Sequence, residues 1–523
     1  MRQEAVARET AMKICILNTG GTISSVGSPL APMSAARFSE AAKAILTPMI
    51  AASLPDMELH FDSSLRFSDH GTGALDSTNL QPRDWCRIAD AVLNAYADHD
   101  GFVILHGTDT MDFTGAALPL LLNVTDDLGF GRAVLSKPVI LTGAQLPMFR
   151  DTPEGLVLNA GSDAFTNFCG ALACARLRIP ELALFFDGKL LRGNRAIKVS
   201  ATRFAAFESP HLPPLAEAGI GTWPGHASAL PGPAAPHLSL DDPEARQMVR
   251  DRLSAIDTAI DAHPVIEINA FPARFGGGSL PLARMIEDAV AAGVRGIVLQ
   301  SYGEGNFPSG DTGDASQGAI CKALKAATQA GVIVVDGTRV IGGQVGEFHY
   351  AAGAWISEAG AVSAGDMTPM AAFAKTMILS AAAEYHGWSA ATLRAVIRRN
   401  LAGECSFADR LDSRLNPVLN PGQSLSAADG AARLVNDPDH GAALIGVEGK
   451  ALWSPASGHP GRLMLYPDGR LSYLAPDGAV LWQRAAPEKP LTGACLLLRY
   501  DRQGQPVLEL RDACATLTAS IAR

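Results

Sequence analysis

Gly101-Phe102-Val103-Ile104-Leu105-His106-Gly107-Thr108-Asp109-Thr110-Met111 is an apolar run that breaks abruptly into a turn carrying two hydroxyls and a carboxylate. A short apolar run bounded by turn residues marks a strand buried on both faces, the kind found in parallel sheets covered by helices. KICILN at 13–18, KPVILTG at 137–143 and ELALFF at 181–186 repeat the pattern. Between them, residues 82–99 place Trp85, Ile88, Ala89, Val92 and Leu93 at the spacing of an amphipathic helix with Pro82 near its start. The alternation predicts a parallel-sheet α/β domain over residues 13–207, with ligands bound at the carboxyl ends of its strands.

Farther out, residues 208–237 are rich in Pro, Gly and Ala and read as an interdomain linker of polyproline character. A second, smaller α/β domain is expected over 238–405, with strands in PVIEINAF, RGIVLQSYG and GVIVVDGT and helices at 279–293 and 315–330. Residues 406–424, including NPVLNPGQS, read as another connector. The remainder, 425–523, contains an internal repeat at a spacing of 29 residues: RLVNDPDHGAALIGVEGKALW ends at Trp453 and RLMLYPDGRLSYLAPDGAVLW at Trp482, with a looser third copy in LLLRYDRQGQPVLEL. Short strands joined by Asp-Gly turns make this an all-β module.

The 523 residues suit roughly three domains at about 100–200 residues each. With 47% apolar and 18% charged residues, disorder over most of the length is excluded. The formal charge of −10 and the lack of any Lys/Arg-rich run argue against a nucleic-acid partner. No membrane span is expected, since the best apolar stretch, Gly115 to Val124, is short and holds Pro119. The first twelve residues have no apolar core and do not read as a secretory signal, which points to the cytoplasm. Eight dispersed cysteines without a C-x-x-C pair read as reduced, mostly buried thiols. No metal or other cofactor is expected, because His60, His70, His106 and His226 fall in no ligand spacing.

The chemistry collects at predicted strand ends. Thr19-Gly20-Gly21-Thr22 follows the first strand, where glycines allow a tight turn and leave Thr22 near backbone donors. It is not a phosphate loop, since neither G-x-x-x-x-G-K-[ST] nor G-x-G-x-x-G is present. The cluster Thr108-Asp109-Thr110 exceeds what a helix cap requires, and Gly193-Asn194-Arg195-Ala196-Ile197-Lys198 supplies a lysine to pair with Asp109.

Taken in order and spacing, TGGTI, GFVILHGTDTM, KPVILTGAQLP, RGNRAIK, SYGEGN and DMTPMAAFAK resemble the bacterial L-asparaginases, in particular the cytoplasmic type I enzymes, over about residues 13–405. The resemblance implies a two-domain asparaginase fold, Thr22 as nucleophile, and Thr108, Asp109 and Lys198 as the second catalytic group. It implies that Ser77 and Thr78 bind the α-carboxylate and α-amino groups of L-asparagine, with Asp109 on the ammonium. Asn306 would reach the site from the partner subunit of a homodimer or homotetramer. Two departures stand out: the loop after TGGTI carries Leu30 where the family has a tyrosine, and GTRVIGGQVG carries Val340 where some type I enzymes have an allosteric-site cysteine, so that control is not expected.

The repeat tail resembles bulb-type lectins of the β-prism fold. Of their sugar-binding pattern, the matching positions Asp437, Asp439, Gly441, Ala443, Ile445 and Tyr466, Asp468, Arg470, Ser472, Leu474 keep only the aspartate. That reads against glycan binding and for a packing or assembly module. The readings in play are an asparaginase, a broader asparaginase/glutaminase-type amidase, and a low-turnover amide-sensing or carbohydrate-binding protein on the same fold.

Overall fold

A computed structural model of the chain describes residues 11–68, 71–122, 124–125, 131–133, 135–230, 232–233, 235–273, 280–345, 351–406, 410–426, 432–446, 449–489, 491, 493–501, 505–512 and 517–522. Two compact units divide it. One gathers Met1–Leu122, Leu135–Ala229 and Arg246–Ala262, and the other Asn123–Val134, Leu230–Ala245 and His263–Arg523.

The first unit is built on an eight-stranded sheet: β1 (Met12–Asn18), β2 (Met57–Asp62), β3 (Gly101–Leu105), β4 (Val139–Thr142), β5 (Leu182–Phe186), β6 (Lys189–Arg192), β7 (Ala216–Ala218) and β8 (Thr222–Pro224). Its order is β8-β7-β6-β5-β4-β3-β1-β2, and the five strands β2-β1-β3-β4-β5 run parallel. Every residue of β3 and β4 is buried, as an apolar run covered on both faces requires. The helix Pro82–Ala95 buries Trp85, Ile88, Ala89, Val92 and Leu93, and Asp84 turns back to accept the Gln81 N–H at 2.8 Å. The order 2-1-3-4-5 reverses direction between β1 and β3. In open α/β sheets such a switch point leaves a crevice at the strand carboxyl ends.

Two expectations are corrected here. The sheet is mixed rather than wholly parallel, because β5 and β6 form a hairpin on Asp187-Gly188, both at positive φ (47° and 79°), and β6, β7 and β8 continue antiparallel. Asp-Gly tolerates the two left-handed conformations that a tight hairpin turn needs. The stretch 208–237 is therefore no free linker: β7 and β8 lie within it, joined where the Gly219 N–H donates to the Gly221 carbonyl. Residues 246–259 of the helix Pro243–Ala259 belong to the same first unit, where Arg250 and Arg252 donate to the Leu93 and Leu120 carbonyls.

In the second unit, strands Val265–Asn269, Gly296–Ser301, Ile333–Thr338 and Val362–Ser363 form a parallel sheet in sequence order, with helices Pro281–Ala291 and Ala319–Gln329 close to the expected spans. The DMTPMAAFAK motif opens the helix Pro369–Ala382, capped by the Thr368 hydroxyl on the Ala371 N–H. Its lysine, Lys375, is fully buried against Glu404 at 2.5 Å.

The tail holds three four-stranded antiparallel sheets around one core of Leu411, Leu425, Leu434, Leu444, Leu463, Leu471, Leu496 and Leu510 among others. Equivalent strands of the two close repeats break register at matching places, Leu444/Ile445 and Tyr473/Leu474. The expected connector 406–424 is corrected as well: Arg410–Asp412, Val418–Leu419 and Ser424–Ser426 each supply the edge strand of a different sheet. Pro417 and Pro421 flank Val418–Leu419 rather than lying within it, so no ladder N–H is lost to them.

Burial alone would raise the Glu404 carboxyl, but the Lys375 charge and the Leu401 and Ala402 amides hold it below its ordinary value. The stability it contributes is present above that ordinary value and is lost as pH falls through the lowered one. Lys375→Met should cost about 3–5 kcal/mol in denaturant unfolding by leaving a buried carboxylate unpaired, and Lys375→Met/Glu404→Leu should regain most of it.

Candidate active site

Three turns of the first unit meet at the switch point. Leu75 pairs as a parallel bridge with Gly20, donating to the Thr19 carbonyl at 2.9 Å and accepting from Gly21 at 2.8 Å. The Thr19 N–H and hydroxyl both reach the Leu105 carbonyl at the end of β3, at 2.9 and 3.1 Å. The Thr110 hydroxyl donates to the Ser77 carbonyl at 2.9 Å. The backbones approach so closely that side chains are excluded: a Cβ on Gly20 would lie 2.1 Å from the Leu75 oxygen, one on Gly21 2.2 Å from the Gly107 Cα, and one on Gly107 2.4 Å from the Ser77 Oγ. Gly20 and Gly21 also sit at φ of 118° and 75°, which favours glycine.

Thr22 and Thr108, each one residue past a contacting glycine, therefore flank the same point. Thr22 is half-buried at the start of a 3-10 turn, Thr22–Ser24, and its hydroxyl makes no hydrogen bond among the described residues. Lys198 Nζ donates to Thr108 Oγ1 at 2.8 Å and to Asp109 Oδ1 at 2.7 Å. The lysine is largely buried while the Asp109 side chain is 54% exposed, so the carboxylate faces the open side. Ser77 is buried against Gly107. Thr78 differs: it is exposed, and both its N–H and its hydroxyl donate to Asp76, at 3.1 and 3.0 Å. Asn306 lies in the second unit, in a turn where its N–H and carbonyl pair with Tyr302. Leu30 is 56% exposed on the small hairpin that joins Ser25–Val26 to Ala31–Pro32.

Two residues that the motif reading passed over hold the group in place. His106 is buried, and burial pushes it down to about 4, so it is neutral. A carbonyl only accepts, so His106 Nδ1–H donates to Gly107 at 2.7 Å and Nε2 accepts the Thr114 hydroxyl at 2.9 Å. Asp112 accepts the Lys198 N–H at 3.1 Å and its own helix's Phe113 N–H at 3.0 Å. Burial raises its carboxyl to about 6 against those hydrogen bonds. An acid in the first turn of Met111–Leu121 looks like ordinary helix-dipole matching, so nothing in the sequence singles Asp112 out. The cysteines behave as read: the seven described are free, and six of them are buried, with Cys514 outside the described residues. Among the described residues, no helix is long and apolar enough to cross a membrane.

Residues 13–226 match the family model described as Asparaginase, N-terminal, and residues 282–396 match Glutaminase/Asparaginase C-terminal domain. The chain is 32% identical to L-asparaginase 1 of Escherichia coli over 397 residues, covering 76% of this chain and 98% of that relative. Among solved structures it is similar to L-asparaginase I from Vibrio cholerae, with 29% identity, a TM-score of 0.54 and coverage of 76% and 99%. It is also similar to the thermostable L-asparaginase from Thermococcus kodakarensis, with 28% identity, a TM-score of 0.55 and the same coverage.

Gly107→Ala should force the turns apart and lower turnover by about 10²-fold, the cost typical of misplacing a reacting group by 1 Å, with little change in global unfolding. Asp112 is protonated below about pH 6, where it loses its anionic hold on the Lys198 N–H. The acid limb of the kcat profile should therefore inflect near pH 6, and Asp112→Asn should remove that inflection.

Proposed function

The chain belongs to the asparaginase family of hydrolases, and on that premise we propose that it hydrolyses L-asparagine to L-aspartate and ammonia through a threonine acyl-enzyme. The observation that carries this reading is the meeting of Thr22, Thr108 and the Lys198–Asp109 pair around the Gly21–Gly107 contact.

The steps follow from what each group can do. Thr22 Oγ attacks the side-chain amide carbon, its proton passes to the leaving nitrogen, and ammonia departs to leave an aspartyl ester on Thr22. Water directed by Thr108 then cleaves the ester, restoring the Thr22 hydroxyl. A threonine hydroxyl is a weak nucleophile and needs a proton acceptor within about 2.6–3.2 Å. Thr108, whose hydroxyl accepts from Lys198 Nζ at 2.8 Å, is assigned with that lysine to relay the proton, and Asp109 at 2.7 Å holds the lysine in place. Leu30 stands where the pattern of the family it resembles has a tyrosine, so the Thr108–Lys198 pair is assigned to both steps. Backbone N–H groups of the two glycine turns are assigned to the oxyanion, each such donor typically worth about 2.7–4 kcal/mol.

Asp109, exposed on its open side, is assigned to the substrate ammonium, and buried Ser77 to its α-carboxylate. Thr78 contributes only if its hydroxyl leaves Asp76. Asn306 is kept as a residue supplied by a partner subunit of a homodimer or homotetramer, and the cytoplasm as the site of action. The described tail supports a β-prism-like packing module. Of its two retained aspartates, Asp468 is spent on a turn, accepting the Arg470 N–H at 3.0 Å, and Asp439 stands in a turn where its N–H donates to the Asp437 carboxylate, which argues against a sugar site.

Ammonia release from asparagine should fall by about 10³-fold or more in Thr22→Ala. Ammonia release that survives this substitution contradicts the assigned nucleophile. The kcat/KM for asparagine should exceed that for glutamine by about 10–200-fold, the discrimination one methylene allows; near-equal values favour the broader amidase.

A further inference from the structure

Near the β2 edge of the same sheet, the fold assembles a second group that no local spacing reveals. Cys15 of β1 lies directly opposite His60 of β2 in the parallel register, and His99, two residues before β3, closes the triangle. One ligand atom from each of the three lies within 4.8 Å of the others. Cys15 is fully buried, His99 is nearly so, and His60 is exposed, so the cluster runs from the core to an open mouth.

The hydrogen bonds already orient the imidazoles for a cation. His99 Nδ1–H donates to the Ala95 carbonyl at 2.9 Å, which leaves its Nε2 lone pair directed at His60. A backbone carbonyl behind a ligating histidine is the usual second partner of a metal-bound imidazole, fixing tautomer and direction. His60 Nδ1 lies 2.8 Å from that Nε2. The ring planes agree within 12° at a centroid spacing of 5.0 Å, the distance of two imidazoles in line through one N–H···N contact rather than face to face. The Cys15 thiol makes no hydrogen bond among the described residues, and the Asp62 carboxylate, two residues beyond His60, adds negative charge beside it.

We infer that Cys15, His60 and His99 form a binding site for a borderline-soft divalent cation of the zinc class, separate from the hydrolytic site. One thiolate and two imidazoles are a donor set that suits zinc, with a water completing four-coordination. Tetrahedral geometry with metal–nitrogen bonds of about 2.0–2.1 Å requires the two nitrogens to stand about 3.3 Å apart. The exposed His60 supplies that opening of about half an ångström, since His99 is held by Ala95. On binding, His60 moves its proton from Nδ1 to the solvent-facing Nε2. The Cys15 S–H bond breaks as the sulfur–metal bond forms, and one proton passes to solvent. Burial first and Asp62 second push the free thiol up to about 12, so it remains protonated until a dication reverses the local charge balance. The ion would tie β1, the sheet-edge strand β2 and the turn into β3 together.

The test is a cobalt(II) titration of the chelator-treated full chain, with zinc competition, followed by its visible and near-ultraviolet spectrum. The expected result is saturable one-to-one binding, a sulfur-to-cobalt charge-transfer band, displacement by zinc, and a rise in Tm with zinc. Cys15→Ser should abolish the charge-transfer band, and His60→Ala should weaken binding roughly tenfold or more. Because His60 is exposed, His60→Ala is the variant expected to fold normally, which its far-ultraviolet circular dichroism checks. Absence of saturable binding to wild type, a charge-transfer band that persists in Cys15→Ser, or unchanged affinity in folded His60→Ala each overturns the inference.

Discussion

Everything at the reacting centre depends on glycine backbones touching without side chains between them. Gly20 lies on Leu75, Gly21 on Gly107, and Gly107 on Ser77, and each position would place a Cβ 2.1 to 2.4 Å from its neighbour. This close approach lets the ends of β1 and β3 place Thr22 and Thr108 on either side of one contact. It is available because β1 and β3 adjoin at the point where the sheet order reverses, which leaves their following turns pointing into a common crevice. The neutral His106, donating to Gly107 and accepting from Thr114, then pins the second turn from behind.

The parallel core was legible because buried strands of that kind are nearly continuous apolar runs, and β1, β3, β4 and β5 all read that way. The antiparallel extension was not, since β7 and β8 are three residues each and sit in sequence dominated by Pro, Gly and Ala. Asp187-Gly188 did carry the hairpin signal, but it was overshadowed by the apolar strand before it. The same bias hid the edge strands of the tail in 410–426, where pairing with distant repeats, rather than local propensity, decides the conformation.

At the site, Thr108, Asp109 and Lys198 stood out because so many reactive groups in one turn exceed any capping need, and the structure joins them within 2.8 Å. His106 and Asp112 did not stand out, because a histidine at a strand end and an acid at a helix start are commonplace. Their roles emerge only from burial and from partners 8 and 86 residues away. Cys15, His60 and His99 were opaque for the same reason: ligands drawn from three separate segments leave no spacing to read. Thr78 shows the converse, a motif position whose hydroxyl the fold commits to Asp76.

The central claim is that Thr22, set beside Gly107 by the glycine contact, carries the acyl group. It is tested most directly by rapid quenching of the full chain with asparagine, followed by peptide mass spectrometry. The account predicts an aspartyl ester on the peptide containing Thr22, absent when the enzyme is quenched without substrate. Steady ammonia production with the ester on another residue, or with no covalent intermediate trapped under conditions where hydrolysis of the ester is rate-limiting, would contradict it.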